Sequence, residues 1–244
     1  MSVPADWIVP DWPVPPRVRA LITTRPGGAS RGRFASFNLG AHVGDDPEAV
    51  ARNRQALRQC LPADPVWMNQ VHGTRVIEAD PRAQGEEADG AVAHAPAQVC
   101  AVLSADCLPV LLADEAGTAV GIAHAGWRGL AAGVIENVAR AMRVPPATLM
   151  AYLGPAIGAQ AYEVGPEVLD AFVAADAEAR RAFAPKGGGK YLADLGLLAR
   201  QRLERLGVRS VQGGGLCTYS DAARFYSYRR DGETGRMASL IWLE

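Results

Sequence analysis

The sequence predicts a single mixed α/β domain, and three observations support this. Short apolar runs bounded by Gly, Pro, Asp and Ser alternate with stretches of helical periodicity throughout the chain. No repeat, low-complexity tract or linker divides it. Its 244 residues are enough for one sizeable core without forcing two, so residues 1–244 are taken as one domain. With 49% hydrophobic residues and a formal net charge of -1, the chain has no basic excess for nucleic acid. No run approaches the roughly 18 apolar residues of a membrane span. The opening stretch, MSVPADWIVPDWPVPPRV, lacks the basic and apolar regions of a secretory leader. Cys60, Cys100, Cys107 and Cys217 show no Cys-x-x-Cys spacing. Reduced thiols and a cytoplasmic location are therefore expected.

Taken in order, Pro4 to Pro16 reads as an extended lead-in and Val18 to Thr24 as a strand, broken at Arg25-Pro26-Gly27-Gly28. Asp46-Pro47-Glu48 is a good helix start, with an N-cap acid and Pro at the first helical position, and that helix should end near Cys60. Pro65 to Gly73 is predicted as a strand, as is Thr74 to Glu78, with a polar loop from Asp80 to Asp89. The central stretch, Val99 to Leu130, holds three apolar runs, VCAVL, LPVLLA and TAVGIAHA. A turn at Asp114 to Gly117 makes the last two an antiparallel hairpin. A helix is predicted over Leu130 to Arg143, a strand over Leu149 to Leu153 and a two-part helix over Pro166 to Phe183. Pro185 to Lys190 reads as a flexible loop, Asp194 to Leu206 as a helix and Val208 to Val211 as a strand. The tail has a hairpin signal at Arg230-Asp231-Gly232 before the strand ASLIWL.

The chemistry concentrates where apolar runs give way to Gly, Asp and Ser. The hairpin brings Cys107 and His124, at its two ends, close together. His72 follows an apolar run and precedes Gly, much as His124 precedes Ala-Gly, and the chain has only four histidines. Two imidazoles and one thiolate suit zinc, with a fourth position left for water. The same residues also fit a buried apolar thiol and two hydrogen-bonded histidines. Asp106 either orients a histidine or caps a turn. Arg128, beside a predicted helix start, either meets an anion or is a surface arginine, and Arg25 poses the same choice. Trp67, Tyr162, Phe225 and Tyr228 either stack on a base or belong to the core. Absent are a Gly-x-Ser-x-Gly elbow, a dinucleotide glycine fingerprint, a His-Glu-x-x-His helix and the base-deaminase signature.

Several segments together resemble a known family. They are Asn38-Leu39-Gly40 with His42-Val43-Gly44-Asp45-Asp46, Asn69-Gln70-Val71-His72-Gly73, and Ala88-Asp89-Gly90. They continue with Ser104-Ala105-Asp106-Cys107-Leu108-Pro109-Val110, His124-Ala125-Gly126-Trp127-Arg128-Gly129, Gly154-Pro155-Ala156-Ile157-Gly158, and Cys217-Thr218-Tyr219 through to Arg229. The chain resembles the laccase-domain, polyphenol-oxidoreductase-like proteins described as purine nucleoside phosphorylases of the YfiH type. That resemblance implies an α/β/β/α sandwich and zinc held by His72, Cys107 and His124. It implies phosphorolysis of adenosine, inosine, guanosine and S-methyl-5'-thioadenosine, with adenosine deamination at the same site. Purine nucleosides and phosphate are then the partners, with no nucleic acid or membrane, and the chain acts as a monomer or homodimer. Arg128 and Arg25 are the candidates for holding phosphate, since guanidinium binds it bidentately. Three rivals stay open: a copper polyphenol oxidase, a cysteine hydrolase or amidase editing cell-wall precursors with Cys107 as nucleophile, and a non-enzymatic metal-binding protein.

Overall fold

Unbroken apolar runs mark strands covered on both faces. The structure, a computed structural model that describes residues 3–244, shows what covers them. In chain order the strands are β1 (Val18–Ile22), β2 (Pro65–Val66), β3 (Val76–Glu78), β4 (Gly90–Ala93), β5 (Val99–Ser104), β6 (Leu108–Asp114) and β7 (Val120–Ala125). They continue with β8 (Leu149–Leu153), β9 (Glu163–Val164), β10 (Phe183–Gly187), β11 (Lys190–Ala193), β12 (Ser210–Gly213) and β13 (Met237–Leu243). The helices are α1 (Pro47–Arg58), α2 (Trp127–Ala132), α3 (Val134–Ala141), α4 (Pro166–Val173), α5 (Leu195–Leu206) and α6 (Tyr228–Asp231).

Two mixed sheets form the centre, in the orders β1-β13-β5-β2 and β12-β8-β6-β7-β4-β3. The pairs β2–β5, β3–β4 and β12–β8 are parallel and the other pairs in these two sheets antiparallel. Successive side chains point to opposite faces of a strand, so each run feeds two layers. Cys100 and Val102 of β5 join Leu111, Ala113, Val120 and Ile122 between the sheets. Val99, Ala101 and Leu103 face outward into a cluster with Leu57 of α1 and Trp242. Beyond the larger sheet, Val110 and Leu112 belong with Ile135 and Val138 of α3 and Leu198 and Leu203 of α5. The layers are thus α/β/β/α, as expected. Each fully buried Leu or Ile contributes about 1.5–3 kcal/mol, which is why neither face of β5 or β6 can turn polar cheaply.

Five expectations need correcting. The strand from Pro65 stops at Val66, because from Trp67 onward the backbone bonds instead to the loop at 85–86. The helix after the central stretch starts at Trp127, capped by Gly126, and is split at Gly133, where φ is 98°. Pro185 to Lys190 is a hairpin rather than a free loop: Gly187, Gly188 and Gly189 all have positive φ and make the turn between β10 and β11. Arg230-Asp231-Gly232 ends α6 instead of turning a hairpin, and β13 pairs with the distant β1 and β5. The last predicted strand before the tail also lies slightly later, at β12.

Candidate metal centre and active-site cavity

In the β6–β7 ladder, Leu108 pairs with Ala125 and Pro109 with His124. Cys107, one residue before β6, therefore stands beside His124. His72 arrives from the loop after β2 with a φ of 60°, a left-handed conformation that a non-glycine residue holds only when its surroundings impose it. Asp89 imposes it. Its carboxylate accepts the backbone N–H groups of Val71 at 3.1 Å, His72 at 3.0 Å and Gly73 at 2.6 Å. The same carboxylate meets His124 Nδ1 at 2.8 Å. One fully buried acid thus fixes the backbone of one histidine and the ring of the other. With Nδ1 engaged, His124 has Nε2 to offer the cluster.

The ligating atoms of His72, Cys107 and His124 all lie within 4.8 Å of one another, and Cys107 Sγ is 3.8 Å from His72 Nε2. Tetrahedral zinc with ordinary bond lengths would set such atoms about 3.3–3.7 Å apart, so the set fits a metal with little movement. Among the described residues it is the single such group. Gly126 makes room for it, since a Cβ there would stand 2.8 Å from Cys107 Sγ and 2.9 Å from His72 Cδ2. Burial would raise the Cys107 thiol, but His124 and hydrogen bonds from both imidazoles outweigh it and bring it down to about 6. Burial would lower His124, yet the Cys107 thiolate and Asp89 push it up to about 9. Without metal both shifts favour a thiolate–imidazolium pair.

The cluster lines a cavity of about 390 Å³, within the range of small-molecule sites. Trp127, Tyr162, Arg128, Arg229, Arg236 and His42 stand among its walls.

A family model described as multi-copper polyphenol oxidoreductase laccase matches residues 19–244. The chain belongs to that family. Within it, a purine nucleoside phosphorylase of Pseudomonas aeruginosa is 56% identical over 98% of both chains. The Escherichia coli purine nucleoside phosphorylase YfiH is 52% identical over 97% of this chain and 98% of that one. A Neisseria meningitidis protein of solved structure superposes with a TM-score of 0.95 at 55% identity, covering 98% of this chain and 99% of that chain. Bacillus licheniformis YfiH superposes at 0.88 with 33% identity, over 93% of each chain. The YfiH-type resemblance read from the motifs is borne out.

Arg128 is exposed at the cavity, with its guanidinium 4.5 Å from the Trp127 ring centroid. Arg25 is not brought to the cavity. Its guanidinium donates to the carbonyls of Ala35 at 2.7 Å and Ala222 at 3.2 Å, and it lies 3.9 Å from Asp231. Asp106 does not orient a histidine: it accepts Thr218 Oγ1 at 2.6 Å and the Arg229 N–H at 2.7 Å, so it ties the tail to the Cys107 loop. Tyr162 and Tyr228 line the cavity, Phe225 is core, and Trp67 packs under Arg54. The motifs alone do not mark Asp89 as a site residue. Its one local mark is an acid between two small residues, Ala88-Asp89-Gly90, just before a buried strand.

Gly126→Ala tests the crowding. The added methyl is expected to lower metal affinity at least about tenfold, within the range found for changes around metal ligands, with the fold intact by circular dichroism. Metal analysis showing normal occupancy would contradict it.

Proposed function

We propose that the chain is a zinc-dependent purine nucleoside phosphorylase that acts on adenosine, inosine, guanosine and S-methyl-5'-thioadenosine and also deaminates adenosine. The observation that carries this is a three-donor metal group on the wall of a nucleoside-sized cavity that also presents arginines. The names of the P. aeruginosa and E. coli relatives support it. When bound, zinc supplies Lewis acidity and a water whose pKa falls to near 7. Copper is the runner-up metal, since two histidines and a cysteine also build blue-copper sites. A cytoplasmic enzyme fits four free cysteines.

The protein's own groups do the rest. In phosphorolysis a phosphate oxygen bonds to ribose C1′ while the C1′–N9 bond breaks, its electron pair leaving with the purine, which takes up a proton. Arg128 helps hold that phosphate. Tyr162 is pushed well above the ordinary phenol range by burial and by the Cys107 thiolate, so it stays a donor. Gln70 and Asp106 are the lining amide and carboxylate, and both are occupied elsewhere: Gln70 bonds both the N–H and the carbonyl of Leu103. Without a free amide or carboxylate to sort 6-amino from 6-oxo rings, the cavity suits a broad purine range.

A second reading has one observation of its own. Cys107, His124 and Asp89 line up as nucleophile, base and orienting acid, the geometry of a cysteine hydrolase.

Zinc-loaded protein given inosine and orthophosphate should yield hypoxanthine and ribose 1-phosphate in equal amounts, and adenosine alone should yield inosine and ammonia. No base release from any purine nucleoside would overturn the phosphorylase, and strong blue absorbance of the purified protein would favour copper. Arg128→Ala should weaken apparent phosphate affinity about tenfold, the loss of one charge-assisted contact, and slow deamination much less. Equal loss of both reactions would show damage to the shared site instead.

A further inference from the structure

The Asn38-Leu39-Gly40 motif with His42 takes no part in the metal group, yet it leads to the cavity. Asn38 Oδ1 accepts the backbone N–H groups of Gly40 and Arg236, each at 2.9 Å, and the Leu39 N–H donates to the Arg236 carbonyl at 3.2 Å. Residue 236, just before β13, is thereby pinned against this loop. Gly40 gives the side chain its space, because a Cβ there would stand 2.8 Å from Arg236 Cγ. The arginine reaches the cavity beside His42 and Arg229.

A guanidinium drawn away from water costs free energy unless an anion meets it. Arg236 is partly buried, and burial holds its pKa below the usual arginine value. One of its nitrogens donates to the carbonyls of Thr234 at 2.8 Å and Gly235 at 3.1 Å, while among the described residues it forms no ion pair. Arg229, at an exposed position, donates to the Glu163 carbonyl at 2.8 Å and lies 5.3 Å from the Tyr162 ring centroid, again with no ion pair among the described residues. The carboxylate of the cavity wall, Asp106, already has both oxygens engaged. His42 is held below the ordinary histidine range by burial, then by Arg236 and Arg54, so it offers a neutral N–H donor.

We propose that Arg236 and Arg229, assisted by His42, form the subsite that takes inorganic phosphate beside the three-donor group, with Arg128 a third cation of the same cavity. This rests on the phosphorylase reading. Two planar guanidiniums supply paired N–H donors in the geometry that phosphate oxygens accept, and their two charges match a dianion. The neutral imidazole adds a hydrogen bond without excess charge. The loop motif is then explained: Asn38 and Gly40 are there to seat Arg236.

The test uses the zinc-loaded full chain as wild type, Arg236→Met, Arg236→Lys and Gly40→Ala. Two readouts are taken: equilibrium dialysis of radiolabelled orthophosphate without nucleoside, and the phosphate dependence of inosine phosphorolysis. Arg236→Met should weaken orthophosphate binding and raise the phosphate KM about ten- to a hundredfold, with the inosine KM within about threefold. Arg236→Lys should recover part of the loss, and Gly40→Ala, which pushes the arginine stem aside, should weaken phosphate by a smaller factor. Unchanged orthophosphate binding in Arg236→Met, or an inosine KM that rises as much as the phosphate KM, overturns the subsite. Should Arg236→Met not fold, Arg229→Met, changed at an exposed position, carries the same readouts. Wild type that binds orthophosphate through Arg236 but cleaves no purine nucleoside sinks the phosphorylase and leaves the subsite standing. Brisk phosphorolysis with Arg236→Met matching wild type at every phosphate concentration does the reverse.

Discussion

Removing the metal is expected to abolish turnover and, in step, to open Cys107 to alkylation. In the loaded protein the thiolate is a ligand and resists iodoacetamide. Once a chelator has acted, the thiol that titrates near 6 becomes the reagent's target. The sign follows from the nucleophile being the thiolate: labelling of the stripped protein should stay fast at neutral pH and fall only as pH drops through about 6. An ordinary cysteine would already be slow below roughly pH 8.5. Peptide mapping is needed, because Cys217 is also held below the ordinary thiol range: burial opposes this, but hydrogen bonds from Ser220, Gly158 and Tyr219 prevail. Cys100 is fully buried and strongly raised by burial, so it should stay unlabelled. Added zinc should restore activity to unlabelled protein only. His124→Asn should lose metal and activity together. Full activity in metal-free wild type would overturn the metal reading and leave the Cys107–His124–Asp89 hydrolase in its place.

The second large effect is expected at Asp89. Asp89→Ala strands the N–H groups of Val71, His72 and Gly73 and frees the His124 ring. A buried donor left unpaired costs about 1–3 kcal/mol. Water can reach the exposed Val71 and His72 backbone, so the sum should come to about 3–5 kcal/mol. Metal affinity should fall about ten- to a hundredfold as the ligands lose their orientation. Asp89→Asn, which keeps the volume but accepts through one oxygen only, should lie between. Burial raises the Asp89 carboxyl, but the His124 hydrogen bond and the N–H donors outweigh it and hold it below the usual value. Its stabilisation is therefore complete at neutral pH and is lost only as pH falls below the ordinary carboxylate range. Denaturant titration with and without metal checks both parts, and a variant as stable as wild type would contradict them.

How far the sequence reaches depends on the range of the interaction. The apolar runs at 99–103 and 108–113 identify strands because burial on two faces is written into every residue of them. The Cys107–His124 approach follows from a local hairpin and could be read directly. Asp89 could not, since its partners lie 16 to 35 residues away and only the fold brings them together. Arg25 misled for a related reason. Its guanidinium donors are consumed by the backbone carbonyls of residues 35 and 222, which only the fold brings to it. Arg236 carried no local signal at all, and only its pairing with Asn38 gives it meaning.

The place of β13 between β1 and β5 bears on how the chain is made. Residues 18–22 pair with 239–243, so β1 is synthesised long before its neighbour exists. At roughly 5–20 residues per second, that wait is about ten to forty seconds. The six-stranded sheet draws its strands only from residues 76–213, so all of them are translated before β13. During that interval β1 and β5 expose apolar edges, which is when a chaperone would matter most. Arg236 is delivered with β13, so the metal donors are all translated before the anion site receives its last residue.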